Sequence, residues 1–510
     1  MFLKHSQIAP ARASGLVRAA EAAVRAIPPA FPLAATVAVN PFLGQSGEGW
    51  AQAGARLARV AGAVLTPSRA DRAEAVARGE IDDEALTAAL IASRAPGRPQ
   101  DLADLKARLH HRAEAAAPLP TLAELAAARG GTDWPLVIER SLGLWAAGYF
   151  DRGQALWQPA PGLGAYAAWR AWASRDLTPE IAGLKGFCAH VAAAPDTAER
   201  AVLRAAERLG MTEEAAETLF HRLLITLGGW AQMARGLLFQ AELKGGTDST
   251  LADLLAIRLI WEEALLAADP GLAGPWAKVV AAHAAPLAPS ADLVIDAVLQ
   301  EAAERSYQRR LAAELRQAHV DPSAVVAARP VLQAAFCIDV RSEVLRRALE
   351  AQDSGIETLG FAGFFGLPVA HRAAGSVQQE AHLPALLTPA LHSHAGLTAP
   401  EDEAQRISAR ALRAWGRFRQ AAVSSFAFIE AGGPFYAGKL VKDALSLGGQ
   451  PAKASPAPVC ATEVAVADQA GLAARILRAM GLAAGPLAPV VLLVGHGASM
   501  VNNPLHSAYH

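Results

Sequence analysis

Residues 331–341 read VLQAAFCIDVR, and residues 342–349 continue SEVLRRAL. Bounded by Pro330 and Arg341, the mainly apolar run Val331–Val340 predicts a strand, and Ser342 opens a helical pattern lasting to Leu349. A second unit of this kind comes late in the chain, where the short apolar run Ala488–Val494 ends in Gly495-His496-Gly497. Short buried strands alternating with helices predict an α/β class with a parallel-sheet core.

Side chains alternate by two along a strand, so a strand over 331–340 sets Cys337, Asp339 and Arg341 on one face at its C-terminal end. Ligands of open parallel sheets gather beyond such ends. A thiolate is a soft zinc ligand, and Arg341 can hold Asp339 ionised through a charge-assisted contact. A buried cysteine beside a surface ion pair accounts for the same residues without any ligand. His496 lies just past the second strand, flanked by glycines that let backbone or ligand approach closely. Catalytic zinc takes three protein ligands and an open position. Cys337 and His496 supply two and Asp339 a candidate third, with one soft ligand missing from the set. Cys188, in a helical segment, and Cys460, after a Pro-rich loop, are expected to be inert. His392 and His394 form an H-x-H in a loop-like stretch, and His110 and His111 read as a solvated helix face. His506 and His510 follow His496 closely, but nothing in their spacing requires them at the site.

Composition narrows the class. The 510 residues are 52% hydrophobic and 19% charged, too apolar for disorder and ample for a large core. With 47 Lys+Arg against 48 Asp+Glu, the net charge of −1 provides no global field for nucleic acid, which is excluded as a partner class. Three cysteines exclude a disulfide scaffold and fit a reducing compartment. Met1–Gly15 has no apolar core of the secretory kind, so no signal peptide is expected. Mean hydropathy is +0.20, yet no apolar run is long enough to span a bilayer. Ile27–Val39 is broken by Pro28, Pro29 and Pro32, Leu223–Leu238 by Arg235, and Thr358–Ala370 is short and holds three glycines. The expectation is a soluble chain, or one held at a membrane through a partner.

Three regions follow. Residues 1–66 hold a helical stretch and a short strand at Ala34–Val39 running into Asn40-Pro41-Phe42, and are expected to form part of the α/β core. Residues 67–329 are mainly helical, with Thr212–Leu243 as one long run and breaks at 96–99, 159–164 and 269–275. Asp248, Ser249 and Thr250 offer N-caps to a helix whose Leu254, Ile257, Trp261, Ala264 and Leu265 make an apolar stripe, read as core packing. Residues 330–510 form the α/β region with the candidate site.

Ile27-Pro28-Pro29, VAVNPFLG at 37–44, FCIDVRSE at 336–343, TLGFAGFFG at 358–366 and GHGASMVNNP at 495–504 recur in one order along the chain. Together these segments resemble the DabA family, the soluble subunits of two-component inorganic-carbon accumulation systems. The resemblance implies a β-carbonic-anhydrase-like site holding Zn2+, whose metal residues here are Cys337, Asp339 and His496. Arg341 partners Asp339, and the two control access to the open metal position. The family's last zinc cysteine falls beyond His510, so a longer natural chain is expected. The resemblance also implies hydration of CO2 to bicarbonate, with little activity from the isolated subunit. The implied partner is an integral membrane proton-conducting subunit, DabB-like and similar to the antiporter-type subunits of respiratory complex I. The implied location is peripheral, on the cytoplasmic side of the cell inner membrane. Two other readings stand beside this one. The chain is a docking or scaffold subunit with an incomplete metal site, or a hydrolase with Cys337 as nucleophile, His496 as base and Asp339 as orienter. The stretch Phe361–Leu367 reads equally as a CO2 path, a docking face or core.

Overall fold

The computed structural model describes residues 9–30, 43–111, 116–151, 160–317, 329–338, 340–383, 387–420, 457–460, 465–482 and 485–495. Ala34–Val39, Asp339, His496, His506 and His510 lie outside the described residues. The chain divides into two units. The first takes the described residues up to 145 and those of 160–317, and the second takes 146–151 and the described residues from 329 onward.

Helices build the first unit. Their starts are written in the sequence: Ser68 and Thr121 each close a capping box, with Asp71 and Glu124, and Asp82, Asp101, Thr197 and Thr212 accept from the first-turn amides. The single run expected over Thr212–Leu243 is two helices, Glu213–Ile225 and Gly229–Glu242. They part at Gly228, whose φ of 54° and ψ of −134° suit a residue without Cβ.

Helix Thr250–Ala268 runs through the middle of this unit and is buried on every side from Leu251 to Leu265. The expected apolar stripe is indeed core, with Trp261 against Phe187 at 4.1 Å between ring centroids. The same helix also buries Asp253, Arg258, Glu262 and Glu263, each with partners. Asp253 accepts from the Tyr166 amide at 3.0 Å. Arg258 pairs with Glu262 one turn on and donates to Thr226 Oγ1 at 3.1 Å. Glu262 accepts from Leu122 N at 2.6 Å, at the start of helix Leu122–Gly130. Glu263 meets Arg204 at 3.0 Å, and Arg208. Burial of these charges is tolerable because every one is matched. The Thr250 amide takes its cap from Asp248 Oδ1 at 2.9 Å.

The second unit holds two sheets. Strands β1 (Leu332–Cys337), β2 (Ile356–Phe361) and β7 (Val490–Val494) form a parallel sheet in the order β2-β1-β7. Strands β3 (Val369–Arg372), β4 (Glu380–His382), β5 (Leu391–Ala395) and β6 (Pro458–Cys460) form a mixed sheet in the order β4-β3-β5-β6. Helix Val340–Glu350 joins β1 to β2 as a βαβ crossover. The α/β expectation therefore holds, with a large helical share.

Two corrections concern this sheet. The strand does not reach Arg341, because Val340 and Arg341 are drawn into the first turn of the helix that the sequence places from Ser342. Alternation by two thus ends at Cys337, and Arg341 is not on the strand face. The late apolar run is not buried either: Val490, Val491, Leu492 and Leu493 are 36–56% exposed. Among the described residues β7 is an outer strand of this sheet, as β2 is on the other side.

Candidate functional site

The chemistry-bearing end of the parallel sheet is built from β1 and its two neighbours. β2 follows β1 on one side, while β7 lies on the other. This reversal is a topological switch point, where the loops leaving adjacent strands part and open a crevice. Phe336 pairs with Val494, so the chain leaves β1 through Cys337 and Ile338 directly beside the place where it leaves β7 through Gly495. Asp339 and His496, the next residues on these two paths, lie outside the described residues. Arg341 is placed by its backbone, in the first turn of helix Val340–Glu350.

Cys337 is half-buried and unbridged. Through the register Ala335↔Leu359 and Cys337↔Phe361 it shares a sheet face with Ala335, Leu359 and Phe361. Ala335 packs with Met480 and Leu482, ringed by Leu359, Phe361, Phe365, Ile476 and Leu477, the last two from helix Val466–Ala479. The opposite face carries Thr358 and Gly360 against helix Val340–Glu350. Arg346 Nε donates to Thr358 Oγ1 at 3.0 Å, and the Thr358 amide donates to Glu350 Oε1 at 3.0 Å. The Thr358 hydroxyl, which also donates to Glu350 Oε1, and then the Thr358 amide hold the Glu350 carboxyl below its ordinary pKa.

A turn over Phe361–Leu367 covers the thiol. Ile338 N donates to Phe361 O at 3.0 Å, extending the ladder past the strand end. Phe365 N then reaches Ala362 O at 2.8 Å and Leu367 N reaches Phe364 O at 2.9 Å. Phe365 and Gly366 are left-handed, at φ 48° and 74°. A Cβ on Gly363 would stand 3.1 Å from Cys337 Sγ, and one on Gly366 would stand 3.0 Å from Ile476 Cγ2. The Phe361 and Phe364 rings stack with centroids 6.1 Å apart. So this motif contributes both core and a cover over the thiol, which the sequence alone left open.

Among the described residues, no three His, Cys, Asp or Glu side chains form a ready metal site. Cys337 is a donor of the right kind for zinc, and the glycine opposite it leaves the sulfur a cradle that a Cβ would fill. The other cysteines behave differently. Cys188 sits in helix Phe187–Ala192, its thiol donates to Asp176 O at 3.2 Å, and burial and then Glu180 raise its pKa. Cys460 ends β6.

The H-x-H pair is on a strand, not a loop: His392 and His394 belong to β5. Its neighbour Ser393 lies 2.9 Å from His371 Nδ1 on β3. The His371 ring meets His382 of β4 edge-on at 5.7 Å, and Glu380 pairs with His371 across the ladder. Burial lowers the His371 pKa, His382 and His394 lower it further, and Glu380 opposes them. Sequence reading missed this group because its members come from three strands. His110 and His111 are exposed but follow helix Leu102–Arg108 instead of lying on it.

A three-stranded parallel sheet with a thiol at its switch point defines an α/β protein with a strand-end site. A family model described as "Probable inorganic carbon transporter subunit DabA" matches residues 20–510. Curated relatives carry the same description. That of Rhodopseudomonas palustris strain BisB5 is 56% identical over 492 residues, covering 96% of this chain and 60% of the relative. That of Allorhizobium ampelinum is 53% identical over 511 residues, covering 99% and 63%. That of Roseobacter denitrificans is 54% identical over 494 residues, covering 96% and 61%. The chain thus spans about 60% of the length of these relatives. No solved structure matches. The chain belongs to the DabA family.

Proposed function

We propose that this chain carries the CO2-hydrating site of an inorganic-carbon transporter, with Zn2+ held by Cys337, Asp339 and His496. The observation that supports this reading is the parallel pairing of β1 with β7, which brings the exits of the Cys337 and His496 segments side by side at a switch point. Zinc bound there supplies Lewis acidity that makes water a nucleophile toward CO2 near neutral pH. Cys337 supplies the soft thiolate from the end of a strand fixed on both edges. Arg341, in the first turn of the following helix, is the partner that keeps Asp339 ionised. Asp339 would bind the metal in a closed site and, in an open one, would instead accept a hydrogen bond from water there. The stacked Phe361 and Phe364 beside the thiol give an apolar approach suited to a neutral gas. The relatives' description as a transporter subunit supports a role in a complex, and the partner we assign is an integral membrane proton-conducting subunit. The attachment we assign is peripheral, through that partner, on the cytoplasmic side of the inner membrane; no helix among the described residues is long and apolar enough to cross a membrane.

The test is complementation of cells that lack carbonic anhydrase. The full-length protein, expressed with its membrane subunit, should restore growth in ambient air and bicarbonate accumulation. Cys337→Ser, Asp339→Ala and His496→Ala should each abolish both while leaving the complex assembled. Accumulation that survives Cys337→Ser would refute the reading.

A further inference from the structure

The mixed sheet carries a second set of metal-type donors, on strands that take no part in the site at Cys337. Glu380 and His382 stand two apart on β4 and so share one face, and β3 sets His371 directly opposite Glu380 on that face. Residues at i and i+2 of one strand, with one from the neighbouring strand, surround a single point above a sheet. Ser393 of β5, in register with His371, lies 2.9 Å from the ring's Nδ1. In the tautomer that donates from Nδ1 the lone pair sits on Nε2, and such a contact to the second nitrogen is what orients a metal-binding histidine. His392 and His394 fall on the opposite face with Arg372, which is turned to Asp402 of helix Ala399–Gln420.

Distances test whether one ion can join the three. On a tetrahedral zinc with Zn–N of about 2.0–2.1 Å, two imidazole ring centres lie roughly 5 Å apart and two donor atoms about 3.4 Å. The His371 and His382 centroids are 5.7 Å apart, with the ring planes inclined at 61°. His382 Nε2 and Glu380 Oε2 are 3.9 Å apart. Both separations exceed the ligated ones by roughly half an ångström, so the set is open as it stands and closes by side-chain rotation. The room for that rotation is there, since the His382 and Glu380 side chains are 55% and 73% exposed. An ion pair between His382 and Glu380 explains the second distance alone and requires a protonated ring.

We propose that His371, His382 and Glu380 bind a divalent cation of the zinc class, two imidazoles and a carboxylate with one position left to water. The set has no thiolate and lies exposed, so it exchanges its metal freely and is stripped by purification without added metal. It is independent of Cys337 and of the hydration reading.

Calorimetric zinc titration of the full-length Cys337→Ser protein, dialysed first against a chelator, tests this with the thiol removed. One equivalent should bind. Adding His371→Ala or His382→Ala should weaken that binding by at least about tenfold, the least that loss of even an outer contact costs. His382 is exposed, so the metal-free His382→Ala protein should melt with its parent. If His371→Ala melts lower, His382→Ala and the near-isosteric Glu380→Gln decide, and each should weaken binding. A parent protein that binds no zinc would overturn the proposal, as would zinc bound equally tightly without the His382 ring.

Discussion

Gly363 and Cys337 are matched to each other: the sulfur lies 3.1 Å from where a Cβ on the glycine would stand. Gly363 is not among the positive-φ residues, so its backbone would accept an L side chain. Its neighbour Gly366, at φ 74°, would not accept one without strain. What requires a glycine at 363 is the thiol.

Gly363→Ala should therefore cost about 1–2 kcal/mol through overpacking against the sulfur. In a Cys337→Ala background the same change should cost close to nothing. A double-mutant cycle in urea measures the coupling, and an unchanged Gly363→Ala penalty without the sulfur would contradict it.

Stability should fall in mild acid because of two histidines in the helical unit. Burial, and then Arg56, holds His221 neutral at a pKa of about 4, and burial, Arg59 and Arg222 do the same for His283. Both folded values lie below the unfolded one of 6.5, so the unfolded chain binds the extra protons between them. Full stability is present above pH 6.5 and is lost as pH falls toward 4, by roughly 3 kcal/mol per histidine. Urea midpoints across that window should slope steeply, and His221→Leu should remove about half the slope. A flat profile would show that these rings take up protons in the folded state.

Much of the parallel sheet was legible in the sequence. An apolar run followed at once by a helical period can hardly be anything but the start of a βαβ unit. The strand's end was not legible to the residue, since Val340 and Arg341 suit a strand as well as a helix's first turn. In TLGFAGFFG the three glycines look alike, yet each has its own reason: Gly360 faces Arg346 Nη1, Gly363 the thiol, and Gly366 a left-handed turn. Nor could spacing reveal Asp253, Arg258, Glu262 and Glu263 as buried, because Tyr166, Leu122 and Arg204 reach them from distant helices.

Those buried charges carry a prediction. Arg258 and Glu262 are 2% and 0% exposed and face each other one turn apart. Glu262→Gln leaves the guanidinium without its counter-charge and should cost about 3–5 kcal/mol. Arg258→Met/Glu262→Met should cost clearly less than the single change, since neither charge is then stranded. Denaturation curves decide it, and a double variant worse than Glu262→Gln would mean that the pair is net stabilising.

The proposed hydration chemistry requires a metal at the switch point between β1 and β7. The most direct measurement is the zinc content of the full-length protein purified without added metal, alongside Cys337→Ser at equal yield and with an unchanged circular dichroism spectrum. One zinc per chain is expected in the wild type and little or none in the variant. A wild type without zinc, or a Cys337→Ser protein that keeps it, would contradict the claim.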